Sequence, residues 1–485
     1  MVSQMSSSVI AFSDSIHDER AAISEAYRVW LRQVLPAQCR DGSDQDGGFE
    51  DAQSSGWCDG RESAYNMARL AAARCWLCDS EDANRLDVAI RRGVKFLLRR
   101  QAPDGRLDLC GWFSANEAGF PLPGLVEAYK HLRQSAPALF HEIELDLRLF
   151  LQRAAQAVLA GSAYTANHRW AAACAPLAAV HSLWPDERYL AMVNDYLADG
   201  IDCDADGCWY EERSPGYNMV ADHGLMAMAD YLGRPELLQH VVQNLTFLLY
   251  QLNPNGEVDT TFSHRQDRAQ ANRPPCTYGV ARRVAQLTGD GRFTTLAMAA
   301  LQRTASLPYE LMPLPFELAN HPGPLPPPRP VPTTYEKFYP TRELARWRCG
   351  ERALTLSADA GRHFFDGVLD QWGGRTPKRR LVSPALRRHR PAESAPGTCG
   401  YDGDSAALRA AGWPRCLGTF RPRRRLDAHA AFSAGLAADS DAMGPRAFHP
   451  GTLFNTRCSH TTGLRHAART DCLVEPVVPT RRGDC

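Results

Sequence analysis

The sequence lacks any apolar run of about eighteen residues, the length that a membrane-spanning helix needs. We therefore expect no membrane span. The sequence also lacks an excess of charge, because 55 Lys and Arg residues balance 55 Asp and Glu residues. This balance gives no reason to expect nucleic acid or an acidic membrane as a partner. The first residues show no basic start and no long apolar core, so we expect no export signal and a cytoplasmic protein.

Paired metal-binding cysteines are missing as well. The chain has 15 cysteines, and without an export signal we expect free thiols rather than a disulfide framework. Cys75 and Cys78 have CxxC spacing, but they fall in a helical pattern. No second Cys or His pair lies at zinc-finger spacing. The sequence therefore predicts no metal site.

Helical patterns fill most of the first two thirds of the chain. Apolar residues recur at helical spacing, without a long strand pattern between the segments. Turn signals such as Asp104-Gly105 and Asp206-Gly207 recur about every fifty residues, which is the length of one helical hairpin with its loops. The period predicts a mainly α fold, an incomplete (α/α) toroid of helical hairpins over residues 15–318. Long loops on one rim of this ring would form a cleft.

Three further segments follow. Residues 319–332 are rich in proline and are predicted to be a semi-rigid linker at a domain boundary. Residues 333–374 begin an apolar–polar alternation, which predicts the start of a β-sandwich-like domain. Residues 375–485 are rich in Arg, Pro and Ala and have no helical or strand period. We interpret them as an irregular, low-order tail, and our hypothesis is that this tail is an out-of-frame reading of a GC-rich gene.

The most informative stretch runs from residue 164 to residue 218. Asn167 and His168 stand directly before a helical pattern, while Arg213 and Tyr217 flank a Pro-Gly turn. Pulling a proton from the carbon beside a carboxylate needs groups that mask the carboxylate and a group that takes the proton. An amide and a guanidinium suit the first task, and an imidazole or a phenol suits the second. A structural alternative stays open, because Asn167 also fits an ordinary helix N-cap.

These two motifs, with the helical repeats and the β region after them, resemble the heparinase II/III-like polysaccharide lyases. Toroid alginate and oligoalginate lyases share the pattern. The resemblance implies an α/α toroid followed by a β-sandwich, and a carbon–oxygen lyase that cleaves uronic-acid poly- or oligosaccharides by β-elimination. The chain departs from the family in having no export signal, no complete β-sandwich pattern and a short interval between His168 and Tyr217.

The resemblance also implies roles for individual residues. Asn167 and Arg213 would bind the uronate carboxylate and stabilise the enolate-like intermediate. Tyr217 would abstract the proton or protonate the leaving oxygen, and His168 would be a base or a second neutralising group. No metal ion or organic cofactor is implied.

Weaker predictions concern substrate binding. His264 and Arg265 follow a turn and are candidates for contacts with the substrate, although a solvated charged loop would look the same. Trp112 and Trp209 are candidates for stacking on sugar rings, although aromatic residues at helix ends are more often part of a core.

Two alternative functions remain at this point. A glycoside hydrolase on a similar helical toroid would need two carboxylates across the cleft, and Asp204, Asp206, Glu211 and Glu212 are available. A non-catalytic carbohydrate-binding helical-repeat protein would bind the same sugars without breaking them.

Overall fold

A computed structural model of the chain describes residues 19–50, 56–77, 80–162, 169–209, 214–265, 267, 278–357, 365–369 and 380–382. The chain divides into two units, Met1–His389 and Arg390–Cys485. The second unit lies outside the described residues, as does the rest of the predicted tail 375–485 apart from one short strand. The out-of-frame hypothesis therefore stays a prediction.

Helices make up most of the described part of the first unit. They are α1 (Glu19–Ala37), α2 (Gly60–Leu77), α3 (Ser80–Arg100), α4 (Ala115–Gly119), α5 (Leu122–Ser135), α6 (Pro137–Gly161), α7 (Ala175–Leu183), α8 (Glu187–Ala198), α9 (Pro215–Leu232), α10 (Leu238–Leu249), α11 (Tyr278–Thr288), α12 (Gly291–Leu301) and α13 (Leu314–Asn320). A π-helix, Arg169–Cys174, leads into α7, and a 3₁₀-helix, Thr304–Tyr309, follows α12.

The helices form hairpins arranged as an inner and an outer layer. The first helices of the hairpins, α2, α5, α7, α9 and α11, pack side by side in that order, and each also packs against its second helix. Helix α1 contacts both α2 and α12, and so joins the two ends of the series. The predicted mainly α fold, an incomplete (α/α) toroid of hairpins, is confirmed.

Composition explains which helix goes to which layer. Inner helices are rich in small and apolar residues and are buried on all sides, as in residues 175–180 of α7. Outer helix α8 buries only Tyr189, Val193 and Tyr196, which share one face, and its charged and polar residues lie on the exposed faces. Gly224 of α9 allows the π-helix to cross closely, because a Cβ there would lie 2.7 Å from the Trp170 carbonyl carbon.

The connections place the long loops at one end of the ring. A long loop precedes each of α2, α5, α9 and α11, whereas the link from each inner helix to its outer partner is only a few residues. Because the inner helices run in the same direction, the long loops gather at their N-terminal ends. We call the described parts of these loops the rim: residues 38–50, 101–114, 199–209, 250–265 and 267.

The proline-rich segment packs along the ring instead of crossing open space. The Arg329 amide donates to the Gly291 carbonyl at 2.9 Å, and the Thr295 hydroxyl donates to the Arg329 carbonyl at 2.6 Å. Leu325 and Val331 pack against the helical core. The segment, the helices before it and the described strands after it lie in the same unit.

An antiparallel sheet follows this segment. Its strands are β3 (Thr334–Tyr339), β4 (Leu344–Cys349), β5 (Arg352–Ser357), β6 (Phe365–Leu369) and β7 (Arg380–Val382), after the small β1–β2 hairpin (Leu107–Leu109, Trp112–Ser114) at the rim. The five strands pair in sequence order, with Thr334 opposite Cys349 and Leu344 opposite Ser357. The predicted partial β region is confirmed, although one strand lies beyond the predicted boundary at residue 374.

One arginine of the sheet fastens it to the rim. Arg346 of β4 is 1% exposed and donates to the carbonyl of Leu252 at 3.2 Å and to the side chain of Asn253 at 2.6 Å. It also donates to the Thr355 hydroxyl at 2.7 Å and lies 3.6 Å from the Asp259 carboxylate. A buried guanidinium needs several acceptors, because a buried charge without partners strongly destabilises the folded state.

A buried carboxylate joins two inner helices and α13 at the other end of the ring. Glu127 of α5 accepts hydrogen bonds from Tyr231 of α9 and from Asn320 of α13, each at 2.8 Å. Burial opposes ionisation of Glu127, but hydrogen bonds and positive charge from His131 and Lys130 outweigh it and lower its pKa to about 2.

None of the described helices combines the length and the apolar content that a membrane crossing requires.

Glu127 should make the free energy of unfolding depend on pH in the acid range. Its pKa is lower in the folded chain than the ordinary value of 4.5, so its contribution is present above that value and is lost as the pH falls towards about 2. The shift corresponds to at most about 3 kcal/mol of unfolding free energy. We expect Glu127→Gln to destabilise the chain near neutral pH, and the difference from wild type to shrink over this pH range in denaturant titrations. The exposed Glu25→Gln variant is the control, and a parallel pH dependence in all three proteins would contradict the prediction.

Candidate functional site

The start of α9 at the rim carries the central candidate residue. Ser214 is the N-cap, and its hydroxyl oxygen accepts a hydrogen bond from the Tyr217 amide at 3.4 Å. Pro215 occupies the first turn, where its missing N–H costs nothing. The Ser214 hydroxyl also donates to Asp267 at 2.7 Å, which ties the helix start to the loop after Thr260. The side chain of Tyr217 therefore stands at the N-terminal end of an inner helix.

Arg265 is the partner of Tyr217. Its Nη2 donates to the phenol oxygen at 2.6 Å, and its guanidinium carbon lies 4.2 Å from the centre of the tyrosine ring. Ser263 fixes this loop, because its oxygen accepts from the Arg265 amide at 3.1 Å and its hydroxyl donates to Asp267 at 2.5 Å. The phenol oxygen thus has a fixed cation beside it, which suits an oxygen that gains negative charge during proton transfer.

Other predicted residues are placed less completely. His264 is exposed beside Arg265 at the rim. Asn167, His168 and Arg213 lie outside the described residues, and their predicted roles stay predictions. The chain connects them to described neighbours, since His168 is bonded to Arg169 at the start of the π-helix and Arg213 to the N-cap Ser214. The structure thus brings Tyr217, Arg265 and His264 to the rim.

The two tryptophans predicted to stack on sugars have opposite surroundings. Trp112 is 77% exposed on the β1–β2 hairpin, so its ring is open to a ligand. Trp209 is 1% exposed, and its indole N–H donates to Asp222 at 3.1 Å. A buried indole has no free face, so stacking by Trp209 is not compatible with this placement and its role is to anchor the rim loop.

Asp222 lies beneath this loop, on α9. It is fully buried, and burial raises the pKa of its carboxyl well above the usual range, against the opposing effect of the Trp209 hydrogen bond. Its second oxygen has no hydrogen-bond partner in the part of the chain that the structure describes. A protonated carboxyl is the form that such an environment favours.

Arg342 also holds the rim loop that ends at Trp209. Arg342, which is 3% exposed and stands just before β4, lies 2.5 Å from the Asp204 carboxylate. It also donates to the carbonyls of Cys208 and Trp209 at 3.2 and 3.3 Å. Trp209 is therefore held at its side chain by α9 and at its backbone by the segment before β4. The rim loop that leads towards Tyr217 depends on both contacts.

Two of the four carboxylates considered for hydrolysis are already engaged in this contact. Asp204 pairs with Arg342 and accepts hydrogen bonds from the amides of Asp206 and Cys208. Asp206 accepts from the Thr341 amide at 2.8 Å. Glu211 and Glu212 lie outside the described residues. Within the described ranges, no group of three or more His, Cys, Asp and Glu residues is arranged to hold a metal ion.

Sequence reasoning missed several members of the site. It did not select Ser214 or Ser263, although a serine directly before Pro215 is a recognisable helix-start signal. It named Arg265 only as a candidate for contact with the substrate, and the structure shows Arg265 bound to Tyr217. No spacing rule connects two residues that lie 48 positions apart on separate rim loops.

Comparison with known proteins gives a distant structural likeness. No protein-family model matches the sequence, and no curated protein matches it. Among solved structures, the chain is similar to a sugar epimerase from a ruminal bacterium, with 12% identity and a TM-score of 0.41 over 59% of this chain and 87% of that one. It is also similar to the type II terpene cyclase MstE from Scytonema, with 18% identity and a TM-score of 0.34 over 60% of this chain and 81% of that one. TM-scores of this size transfer no activity to this chain.

Arg342 should stabilise the chain far more than an exposed arginine does. Arg342→Met leaves Asp204 buried without its countercharge, a change that typically costs about 3–5 kcal/mol. Arg188→Met is the matched control, because Arg188 forms a similar ion pair with Asp186 but its side chain is 64% exposed. We expect the control to lose less than about 1 kcal/mol. Denaturant unfolding measures both, and equal losses would show that Arg342 does not fix the loop.

Proposed function

We propose that the protein is a polysaccharide lyase that cleaves a uronic-acid poly- or oligosaccharide by β-elimination. The observation that carries this proposal is the hydrogen bond from Arg265 to the Tyr217 phenol at the start of an inner helix. A tyrosine with a cation on its oxygen suits proton transfer at a carbon acid. The resemblance of the flanking motifs to heparinase II/III-like lyases supplies the substrate class.

The reaction breaks two bonds and forms a double bond. A base removes the proton from C5 of the uronate, and the resulting charge spreads into the carboxylate as an enolate-like intermediate. The C4–O bond to the next sugar then breaks, C4 and C5 become doubly bonded, and the leaving oxygen takes a proton. No redox partner is needed, and the product sugar ends in an unsaturated uronate.

The chain's own residues can divide this work. Tyr217 abstracts the C5 proton or protonates the leaving oxygen, and Arg265 stabilises the negative charge on its oxygen. Asn167 and Arg213 mask the carboxylate, and His168 is the base or a second neutralising group. Asp267 acts indirectly, because its two oxygens hold Ser214 and Ser263, the residues that fix both segments of the pair.

The hydrolase alternative has less support. It needs two carboxylates across the cleft, one of them an acid and the other a base or nucleophile. Asp204 and Asp206 instead bind the segment before β4. A non-catalytic binding protein remains the second candidate, because the exposed Trp112 would serve binding alone equally well.

A screen of uronic polysaccharides distinguishes these candidates. Elimination creates a conjugated double bond, so a lyase produces new near-ultraviolet absorbance from alginate, heparan-type chains or a bacterial exopolysaccharide. A hydrolase releases reducing ends without that absorbance. A binding protein retards the polymer in affinity electrophoresis and releases neither product. Absence of unsaturated ends across the whole panel would contradict the proposal.

Tyr217→Phe should nearly abolish turnover and preserve substrate binding. The ring still fills its space, but the oxygen that transfers the proton is gone, and such groups contribute about a hundred- to ten-thousand-fold. Arg265→Met should also lower kcat, with Arg265→Lys recovering part of it, because a lysine restores charge but not the fixed guanidinium geometry. Arg188→Met serves as a remote control. Near wild-type turnover in Tyr217→Phe would remove Tyr217 from the mechanism and direct attention to His168 or His264.

The two residues assigned to the carboxylate should differ in their effects. Asn167→Ala should lower kcat more than it raises KM, because the amide matters most as charge develops in the transition state. Arg213→Ala should change both constants, because its charge also attracts the ground-state carboxylate. Steady-state kinetics on folded variants separates the two patterns. Unchanged constants in either variant would refute its assigned role.

A further inference from the structure

The segment that follows the 3₁₀-helix Thr304–Tyr309 packs against the inner helices. After the 3₁₀-helix Thr304–Tyr309, the chain crosses between the inner helices, and Leu311 and Met312 help to enclose a cavity of about 30 Å³ with residues of α9 and the π-helix. Glu310 accepts hydrogen bonds from the first amides of α11, at Tyr278 and Gly279. The segment is therefore fixed in the interior of the ring.

Tyr309 is exposed between buried neighbours. Its neighbours Leu307 and Glu310 are 1% and 2% exposed, whereas Tyr309 is 47% exposed. An exposed aromatic ring costs solvation energy that a polar residue would avoid. Because its neighbours are buried, the Tyr309 ring presents a fixed apolar surface to solvent.

An arginine supports this ring from one side. The guanidinium carbon of Arg69 lies 5.1 Å from the centre of the Tyr309 ring and 5.3 Å from that of Tyr65. Arg69 is 5% exposed and donates to Glu62 and Asn66, each at 2.9 Å. Both acceptors precede Arg69 on α2, so the guanidinium points towards the rim end of that helix. The stack of Tyr65, Arg69 and Tyr309 is thus oriented towards the rim.

Polar groups suited to sugar hydroxyls lie near the same stack. Arg61 and Glu117, 3.1 Å apart, bring a donor and an acceptor from α2 and α4. The side chains of Arg61 and Glu117 are 30% and 17% exposed, so each keeps a surface that a ligand can reach. Both residues are close enough to Tyr65 to influence its phenol electrostatically. An aromatic face with nearby charged hydrogen-bonding groups is the usual composition of a carbohydrate subsite.

We infer that Tyr309, supported by Arg69, is a stacking platform for one sugar ring of the substrate, with Arg61 and Glu117 binding its hydroxyls. The inference rests on the proposed function, which supplies the sugar. An ion pair offers both hydrogen-bond donors and acceptors, so it suits a ligand rich in hydroxyl groups better than a ligand that is only an anion. The platform is a binding subsite distinct from Tyr217 and Arg265, so its loss should weaken binding without stopping the proton transfer.

Binding to an inactive parent isolates this subsite. Tyr217→Phe is titrated by calorimetry with hexasaccharides of mannuronate, guluronate and heparosan, and then compared with the double variant that adds Tyr309→Ala. We expect Kd to rise about tenfold for Tyr309→Ala and to stay within about twofold for Tyr309→Phe, which keeps the ring. Phe338→Ala is the control, because Phe338 is an aromatic residue of β3 that is 56% exposed. Thermal unfolding checks that each variant is folded.

The outcomes separate the two proposals. If the parent binds a hexasaccharide and Tyr309→Ala binds it equally well, the subsite is refuted and the lyase proposal stands. If Phe338→Ala weakens binding as much as Tyr309→Ala, the platform is also refuted. If the parent binds none of the hexasaccharides, the lyase proposal fails together with the subsite. In the otherwise wild-type enzyme, Tyr309→Ala should raise KM with kcat nearly unchanged, and a fall in kcat alone would contradict a binding role.

Discussion

The buried guanidinium of Arg346 is the contact on which the arrangement of the rim depends. In the folded chain its partners are protein groups instead of water: the Leu252 carbonyl, the Asn253 amide oxygen, the Thr355 hydroxyl and the Asp259 carboxylate. These acceptors come from both the sheet and the loop after α10, so neither part can shift without leaving a buried charge unpaired. The sheet is therefore part of the framework of the helical ring.

Buried arginines also fix the loops of the candidate site. Arg342 holds the loop that ends at Trp209, and Arg346 holds the loop that continues to Ser263 and Arg265. Tyr217 and Arg265 belong to separate segments, and a hydrogen bond of 2.6 Å between them requires both to stay in place. The buried arginines thus supply a rigidity that a site built on long loops would otherwise lack.

Sequence patterns captured the periodic features and missed the contacts between loops. The ring could be predicted because each hairpin repeats the same apolar period. The Pro-Gly pair before Tyr217 predicts a turn, whereas Pro215 and Gly216 begin helix α9, which contains Tyr217. Composition could not show that residues 319–332 pack along α12, because proline-rich segments look alike whether they are bound or free. Burial of Trp209 depends on Asp222, and the pairing of Arg265 with Tyr217 depends on two distant loops.

The parallel direction of the inner helices has an electrostatic consequence. Each helix carries a partial positive charge at its N-terminus, and in this ring those ends face the rim. A chain with no net charge therefore directs the positive ends of its helix dipoles to the place where the long loops meet. Such a field would draw a polyanion towards the rim and favour charge that develops there, and added salt would weaken the long-range part of that attraction.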